Sequence, residues 1–185
     1  MHKVKILFLC CTILLTGVSN ASADKYNLNI DLARIAMLGT LDADAGFDVS
    51  QHWTVQAGIT FNPWTFKHDG NQFQHRQLMG NQGARYWFWF THSGWFMDFD
   101  GFYGIFNHGG IFGKKTYQGQ AGGIHVSGGY ALMLSEHVNL NFDIGLKTGF
   151  ASYTVFQCPA CGENLGRRQR LFISPDLGIG LDFIF

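Results

Sequence analysis

The last fifteen residues constrain the fold of this chain most. Their side chains alternate between a mostly apolar set and a mostly small or acidic set, the period of two that a β-strand shows between two different surroundings. On an exported chain, a closing strand of this kind is typical of a bacterial outer-membrane β-barrel, and Phe185 is the expected signal for the barrel-assembly machinery. The apolar set is Leu171, Ile173, Pro175, Leu177, Ile179, Leu181, Phe183 and Phe185; the other set is Phe172, Ser174, Asp176, Gly178, Gly180, Asp182 and Ile184.

The first residues predict export by a signal peptide over residues 1–23. Lys3 and Lys5 give a basic start, residues 6–15 are apolar, and residues 21–23 read Ala-Ser-Ala, a small-x-small cleavage site. The apolar run is shorter than the ~18 residues that a spanning helix needs. We therefore expect residues 24–185 to form a single outer-membrane β-barrel domain.

Charge and composition exclude two classes of protein. The 13 basic residues, less Lys3 and Lys5, leave 11 against 13 acidic ones, which argues against a nucleic-acid partner. Charged residues make up only 14% of the chain, below the ~25% of soluble domains. A soluble barrel with an apolar interior would need an exterior rich in Lys, Glu and Thr. The polar face of the predicted strands is instead mostly Gly, Asn, Ser and Asp, which suits a crowded barrel interior.

Segments of period two predict eight antiparallel strands in an up-and-down transmembrane barrel. The facing of the fourth and fifth strands stays open, because both of their parities are aromatic. The predicted strands cover about Tyr26–Ala36, Leu41–Val49, Trp53–Asn62, Gln82–Phe90, Trp95–Asn107, about Gly122–Leu134, Val138–Phe150 and Leu171–Phe185.

The predicted connections alternate in length, as they do in outer-membrane barrels. Short turns cover residues 50–52, 91–94 and 135–137, whereas residues 63–81, 108–121 and 151–170 are expected to be long outer loops. Aromatic side chains beside the short turns predict an interfacial girdle. These are Trp53, Phe90, Trp95, Phe183 and Phe185.

The polar parity predicts a network of charged groups inside the barrel. Because isolated buried charges are costly, these groups must pair, share protons or be hydrated. We interpret them as a polar plug, with a proton or cation path as the alternative; Arg34 is expected on the other parity, near a rim. The predicted network contains Asp31, Asp42, Asp44, Asp48, Arg85, Asp98, Asp100, Asp143, Lys147, Asp176 and Asp182.

Two further patterns raise the question of catalysis or metal binding. His125 and Ser127 share the polar parity of the sixth strand, and a His and a Ser on a barrel are used by outer-membrane lipid deacylases. Such enzymes present the nucleophile to lipid, so we expect these two residues to join the internal network instead. His68, Asp69, His75 and Arg76 lie in one predicted loop, where solvation is favoured over metal binding. No cofactor is expected.

Three motifs in order make the chain similar to a known family. Residues 62–66 read Asn-Pro-Trp-Thr-Phe, residues 85–88 read Arg-Tyr-Trp-Phe, and residues 158–162 read Cys-x-x-Cys-Gly. With the final Phe185, they resemble a Bacteroidetes family of exported barrels known as domain of unknown function 3575. Residues 173–176 depart from the family pattern, keeping only its proline. The resemblance implies the fold and the location but no activity, and it implies a link to fimbrial assembly loci.

The motif at residues 158–161 has three interpretations. Two cysteines in one outer loop of an exported protein most readily form a disulfide. A zinc site needs about four ligands, and a redox site needs a helix N-terminus at the first cysteine. Cys158 and Cys161 are therefore predicted to pair. Arg167, Arg168 and Arg170 follow in the same loop, either in contact with lipopolysaccharide phosphates or simply solvated.

The sequence thus predicts a non-enzymatic outer-membrane barrel that acts as an envelope scaffold or displays its outer loops. Its expected partners are outer-membrane lipid, lipopolysaccharide and a surface or fimbrial protein. A lipid-modifying enzyme that uses His125 and Ser127 is the first alternative, and small-ligand binding by the outer loops is the second.

Overall fold

The computed structural model describes residues 26–37, 39–68, 71–110, 113–159 and 162–185. The predicted signal peptide therefore lies outside the described residues. Within the described ranges the chain forms nine strands and one short helix. These are β1 Tyr26–Asp31, α1 Leu32–Ala36, β2 Leu41–Ser50, β3 Trp53–Asn62, β4 Thr65–His68, β5 Asn71–Trp87, β6 Gly94–Gly109, β7 Thr116–Ser135, β8 Val138–Phe156 and β9 Asn164–Ile184.

All of these strands pair antiparallel in a single sheet, so the prediction of an all-β antiparallel fold is confirmed. Strands that follow one another along the chain are neighbours in the sheet, except that β3 does not pair with β4; β1 also pairs with β9. A further pairing of β3 with β5 closes the hydrogen bonding into a ring. The short strand β4 follows β3 after Pro63 and Trp64. Like β3, it pairs with β5. None of the helices in the described residues is long and apolar enough to cross a membrane.

The faces of the closed sheet are inverted relative to those of a soluble protein. Asn139 and Asp182 are completely buried, whereas Ile144 is 67% exposed and Phe150 is 72% exposed. We call the two faces the enclosed face and the outer face. In strands β5 and β6, Arg85, Trp87 and Asp98 are buried, which settles the facing that the sequence left open.

Glycines on the enclosed face stand directly opposite carboxylates. Asp44 pairs with Gly58, Asp100 with Gly83 and Asp143 with Gly178. A Cβ atom at any of these three glycines would collide with the carboxylate across from it. Each missing side chain therefore makes space for the charged group across from it.

The predicted first strand, Tyr26–Ala36, is wrong in its second half. β1 ends at Asp31, and the chain turns into α1. The Asp31 carboxylate accepts a hydrogen bond from the backbone N–H of Arg34 at 3.0 Å, which caps the helix. The apolar alternation cannot reveal this ending, because Leu32 and Ile35 suit either a strand or a helix.

The three predicted long loops are also wrong, because most of their residues extend the neighbouring strands. β5 begins at Asn71, β8 continues to Phe156 and β9 begins at Asn164. These extensions pair through backbone hydrogen bonds, with one register shift between Thr154 and Phe156 in β8, and they lack apolar alternation. Together they form the long-hairpin end of the sheet, opposite the short-turn end at residues 51–52, 88–93 and 136–137.

Pro175 lies in the middle of β9. It stands opposite Leu146 in β8. On the other side of β9, β1 pairs only with residues 180–184. Pro175 thus occupies a part of β9 with one neighbouring strand, which fits the restriction of proline to sheet edges.

Replacing Gly83 with Ala should destabilise the protein by about 1–3 kcal/mol, the usual cost of overpacking. The new methyl group would meet the Phe99 carbonyl oxygen and the Asp100 carboxylate. Gly101→Ala is the matched control, since the nearest atom to its Cβ is the Gln82 carbonyl oxygen at 3.9 Å. Denaturant unfolding followed by tryptophan fluorescence measures both variants. Equal stability of the two would contradict the packing role of Gly83.

Candidate functional site

The charged residues of the enclosed face form the candidate site, which we call the enclosed network. Asp98 and Asp182 are buried, whereas Asp143 and Lys147 are partly buried. All eleven residues predicted for this network lie in strands on this face. Arg34, Gln56 and His92 are among the members that the structure adds to this network.

Arg34 is the connecting cation at one side of the ring. Its guanidinium lies 3.2 Å from Asp31, 2.6 Å from Asp42 and 2.7 Å from Asp176. The expected place of Arg34, on the other parity near a rim, is therefore wrong. The reason is α1, which turns the side chain toward the enclosed face.

This cation joins two strands that the backbone leaves apart. β1 stops at Asp31, so beyond that residue it no longer lies between β2 and β9. Asp42 belongs to β2 and Asp176 belongs to β9, and Arg34 contacts both. The planar fork of arginine suits such a bridge, because it holds two carboxylates in fixed directions.

Asp176 lies close to three basic side chains. Lys147 Nζ lies 2.9 Å from its Oδ2 atom, and His125 Nε2 lies 3.3 Å from the same oxygen. Together with Arg34, these groups surround one partly buried carboxylate. The cluster therefore compensates the charge of Asp176 within the enclosed network.

Arg85 and Asp98 form the second ion pair, on neighbouring strands. Two guanidinium nitrogens lie 2.6 and 2.9 Å from the two carboxylate oxygens, a bidentate geometry. The guanidinium carbon also lies 4.1 Å from the centre of the Phe96 ring and 5.4 Å from that of Trp87. Cation–π contacts of this kind stabilise a desolvated charge.

His92 closes the network at the short-turn end. Its turn carries it onto the enclosed face with a φ of 61°, a left-handed conformation that is uncommon for a non-glycine residue. The two ring nitrogens lie 3.1 Å from Asp48 and 3.4 Å from Asp182. The Asn139 amide donates to the His92 carbonyl at 2.6 Å. The sequence showed only a short polar turn here, and nothing in that pattern indicates an inward direction.

Electrostatics favour the protonated form of His92. Burial opposes the charged imidazole, but the hydrogen bonds that its ring N–H groups donate to Asp182 and Asp48 outweigh burial and raise the pKa of His92 above its ordinary value. In its protonated form, the ring places a positive charge between two carboxylates. It is the cationic counterpart of Asp48 and Asp182 at this end of the enclosed network.

His125 and Ser127 do not form a nucleophile–base pair. The Ser127 hydroxyl donates to Asp98 at 3.2 Å, and His125 Nδ1 lies 3.3 Å from Asp100. Among the described residues, no hydrogen bond joins Ser127 to His125. Both side chains lie on the enclosed face, so each belongs to the charged network and not to the outer face.

Neither the cysteine motif nor the histidine loop gives a metal centre in the described part of the chain. Within those residues, no group of three or more His, Cys, Asp or Glu side chains could hold a metal ion. Cys161 and Asp69 lie outside the described residues, so the Cys158–Cys161 disulfide stays a prediction. His75 stacks on His108 with ring centres 4.4 Å apart.

One comparison places the chain in a family, and two find no match. The family described as protein of unknown function (DUF3575) matches residues 5–185. No curated protein and no solved structure matches the chain.

Replacing Arg34 with Met should destabilise the protein by about 2–4 kcal/mol, because it leaves partly buried carboxylates without their cation. Lys147→Met is the control, since Lys147 contacts the same Asp176 carboxylate but lies in a strand that the backbone already joins to β9. Hydrogen exchange should accelerate at residues 41–43 and 176–179 in the Arg34 variant. Uniform acceleration in both variants would refute the bridging role.

Raising the pH should weaken the short-turn end of the fold through His92. A histidine whose folded-state pKa is raised contributes full stability below its unfolded pKa of about 6.5 and loses that contribution as the pH rises through the folded-state pKa. His92→Gln should remove this part of the pH dependence. The exposed turn residue His137 is the control, and His137→Gln should leave the profile unchanged. The test is the unfolding free energy of each variant, measured from pH 5 to pH 9. A steeper loss of stability with rising pH in the His92 variant would contradict the role given to His92.

Proposed function

The chain belongs to the DUF3575 family of proteins of unknown function, and we propose that it is an eight-stranded β-barrel of the bacterial outer membrane. In this proposal, the ring of β1–β3 and β5–β9 spans the membrane. The barrel is a non-enzymatic scaffold that presents its long hairpins at the cell surface. Its partners there are lipopolysaccharide and a surface or fimbrial protein.

The inverted faces of the sheet carry this proposal. Ile144, Ile173 and Leu177 are each about two-thirds exposed on the outer face. Soluble monomers rarely expose contiguous apolar surface of this kind. Lipid is a solvent in which such a face is stable, whereas the polar groups of the enclosed network keep their hydrogen bonds inside.

Aromatic side chains at the short-turn end support the same placement. Trp53 and Trp95 are exposed there, and their rings lie 5.0 Å from Tyr86 and 5.2 Å from Tyr130. Phe90 and Phe185 are also exposed at this end. Amphipathic rings concentrate at membrane interfaces, so these residues form the proposed periplasmic girdle.

Strand lengths support surface display. A tilted spanning strand needs about 9–11 residues, whereas β7, β8 and β9 have 20, 19 and 21. The excess lies at the long-hairpin end, where the outer face carries polar residues such as Gln118, Gln120, Ser152 and Thr154. These extensions would project from the membrane as paired hairpins.

The enclosed network supports a structural role over catalysis or transport. Arg34, Arg85 and Lys147 form ion pairs with its carboxylates, and cross-strand glycines leave room for other carboxylates. An eight-stranded barrel is just wide enough for its side chains to fill. Ser127 is held on the enclosed face by Asp98, away from any lipid substrate.

A lysine scan of one strand face tests the proposal. In lipid vesicles, Ile144→Lys should cost about 2–4 kcal/mol, the penalty for a charge at the bilayer midplane. Thr154→Lys is the matched control, on the same face of β8 but beyond the spanning length, and it should cost little. Cell fractionation of the same strains should place the heat-modifiable protein in the outer membrane. Equal costs at the two positions, or a soluble periplasmic protein, would refute the proposal.

A further inference from the structure

A row of aromatic rings crosses the enclosed face at the long-hairpin end. His75 stacks on His108 at 4.4 Å, and His108 lies 5.2 Å from Phe106. Phe106 lies 6.4 Å from Tyr153, which contacts Tyr117 edge-on at 5.7 Å. These five residues come from the four neighbouring strands β5–β8, and we call them the mouth row.

A glycine allows the centre of the mouth row to form. In the register of the sheet, Gly119 stands between Phe106 on β6 and Tyr153 on β8. A Cβ atom at Gly119 would lie 2.6 Å from Cβ of Tyr153. The absence of a side chain there lets the two rings approach across β7.

The rings of the mouth row are open rather than packed into a core. Tyr117 is 39% exposed, and the other four members are partly exposed. Burial lowers the pKa of His75, and burial together with the neighbouring His75 lowers the pKa of His108 to about 4. Both imidazoles are therefore neutral at pH 7. The row thus presents uncharged, flat surfaces at the open end of the sheet.

Cationic side chains border these rings. Arg168 of β9 stands directly opposite Tyr153 of β8. Arg168 and Arg170 are both at even positions of β9, which face the enclosed side. Lys114 and Lys115 border an open cavity together with Tyr117 and Gln157. Among the described residues, none of these four cations has an ion-pair partner. By contrast, the neighbouring Arg167 faces the outer side and donates to the Ser152 hydroxyl at 3.1 Å.

We propose that the mouth row and Arg168 form a binding site for an anionic oligosaccharide. The negative faces of aromatic rings attract the C–H faces of sugar rings. A guanidinium fork binds a carboxylate or sulfate group in bidentate fashion. The unpaired cations supply the charge complementarity, and the row of rings supplies an extended platform. The site rests on the proposed function only for its access from the cell exterior.

An acidic peptide is a less suitable occupant for this site. A peptide would gain most from unpaired backbone groups at a sheet edge, but the mouth row lies within paired strands β5–β8. Stacking platforms flanked by cations suit a ligand built of rings and anionic groups. The peptide is therefore one outcome of the test, and the saccharide is the proposal.

Isothermal titration of the full-length protein in detergent tests the site with three probes. These are a heparin-derived sulfated hexasaccharide, neutral maltohexaose and a poly-aspartate peptide. The sulfated probe should bind. Its affinity should fall about tenfold or more in Arg168→Ala, since a hydrogen bond to a charged group is worth about 1.5–3 kcal/mol. Arg167→Ala, the matched control on the other face, should change the affinity less than twofold.

A second pair of variants separates stacking from charge. Tyr153→Leu should lower the affinity for the sulfated probe. Tyr153→Phe should retain that affinity, because the aromatic ring remains. No binding of the sulfated probe, equal losses in the two arginine variants, or tighter binding of poly-aspartate would overturn the proposal. Heat-modifiable gel mobility verifies that each variant is folded. Failure of binding in a folded, outer-membrane protein refutes this site alone, and mislocalisation refutes the proposed function.

Discussion

Charge compensation inside a closed sheet is the constraint on which the rest of this structure depends. The enclosed face holds many more carboxylates than cations, so one cation can serve several carboxylates. Arg34 contacts three aspartates, and Asp176 is in contact with Arg34, Lys147 and His125. Breaking a buried pair leaves an uncompensated charge, which costs far more than the pair itself contributes. The network therefore makes the strand arrangement specific even where backbone pairing is missing.

The same narrow interior explains the high glycine content of the chain. The chain has 24 glycines, and several of them leave room for larger groups on the enclosed face. On the enclosed face, glycines make room for Asp44, Asp100 and Asp143, and at the open end Gly119 lets two aromatic rings meet. In an interior that is just wide enough for its side chains, large side chains have to alternate with glycines. One packing rule thus builds both the charged centre and the aromatic mouth row.

Strand parity was readable from the sequence, whereas the departures from it were not. β3 has the predicted bounds, and β2 differs by one residue, because both alternate cleanly between apolar and polar side chains. α1 and Arg34 were missed because a five-residue helix leaves no period. His92 was missed because its direction depends on backbone torsions within a turn. The sequence predicts loops at the strand extensions because their polar residues pair through the backbone, and no side-chain pattern indicates such pairing.

Site-directed spin labelling along β8 tests the central claim, a polar enclosed face inside an apolar outer face in lipid, most directly. Single cysteines at residues 140–149, in a background with Cys158 and Cys161 replaced by serine, would report accessibility in lipid vesicles. The account predicts an alternation in which even positions such as Phe142 and Ile144 collide with dissolved oxygen. Odd positions such as Asn141 and Asp143 should be shielded from it. Greater access of a water-soluble relaxation agent at the even positions, or no alternation, would contradict the account.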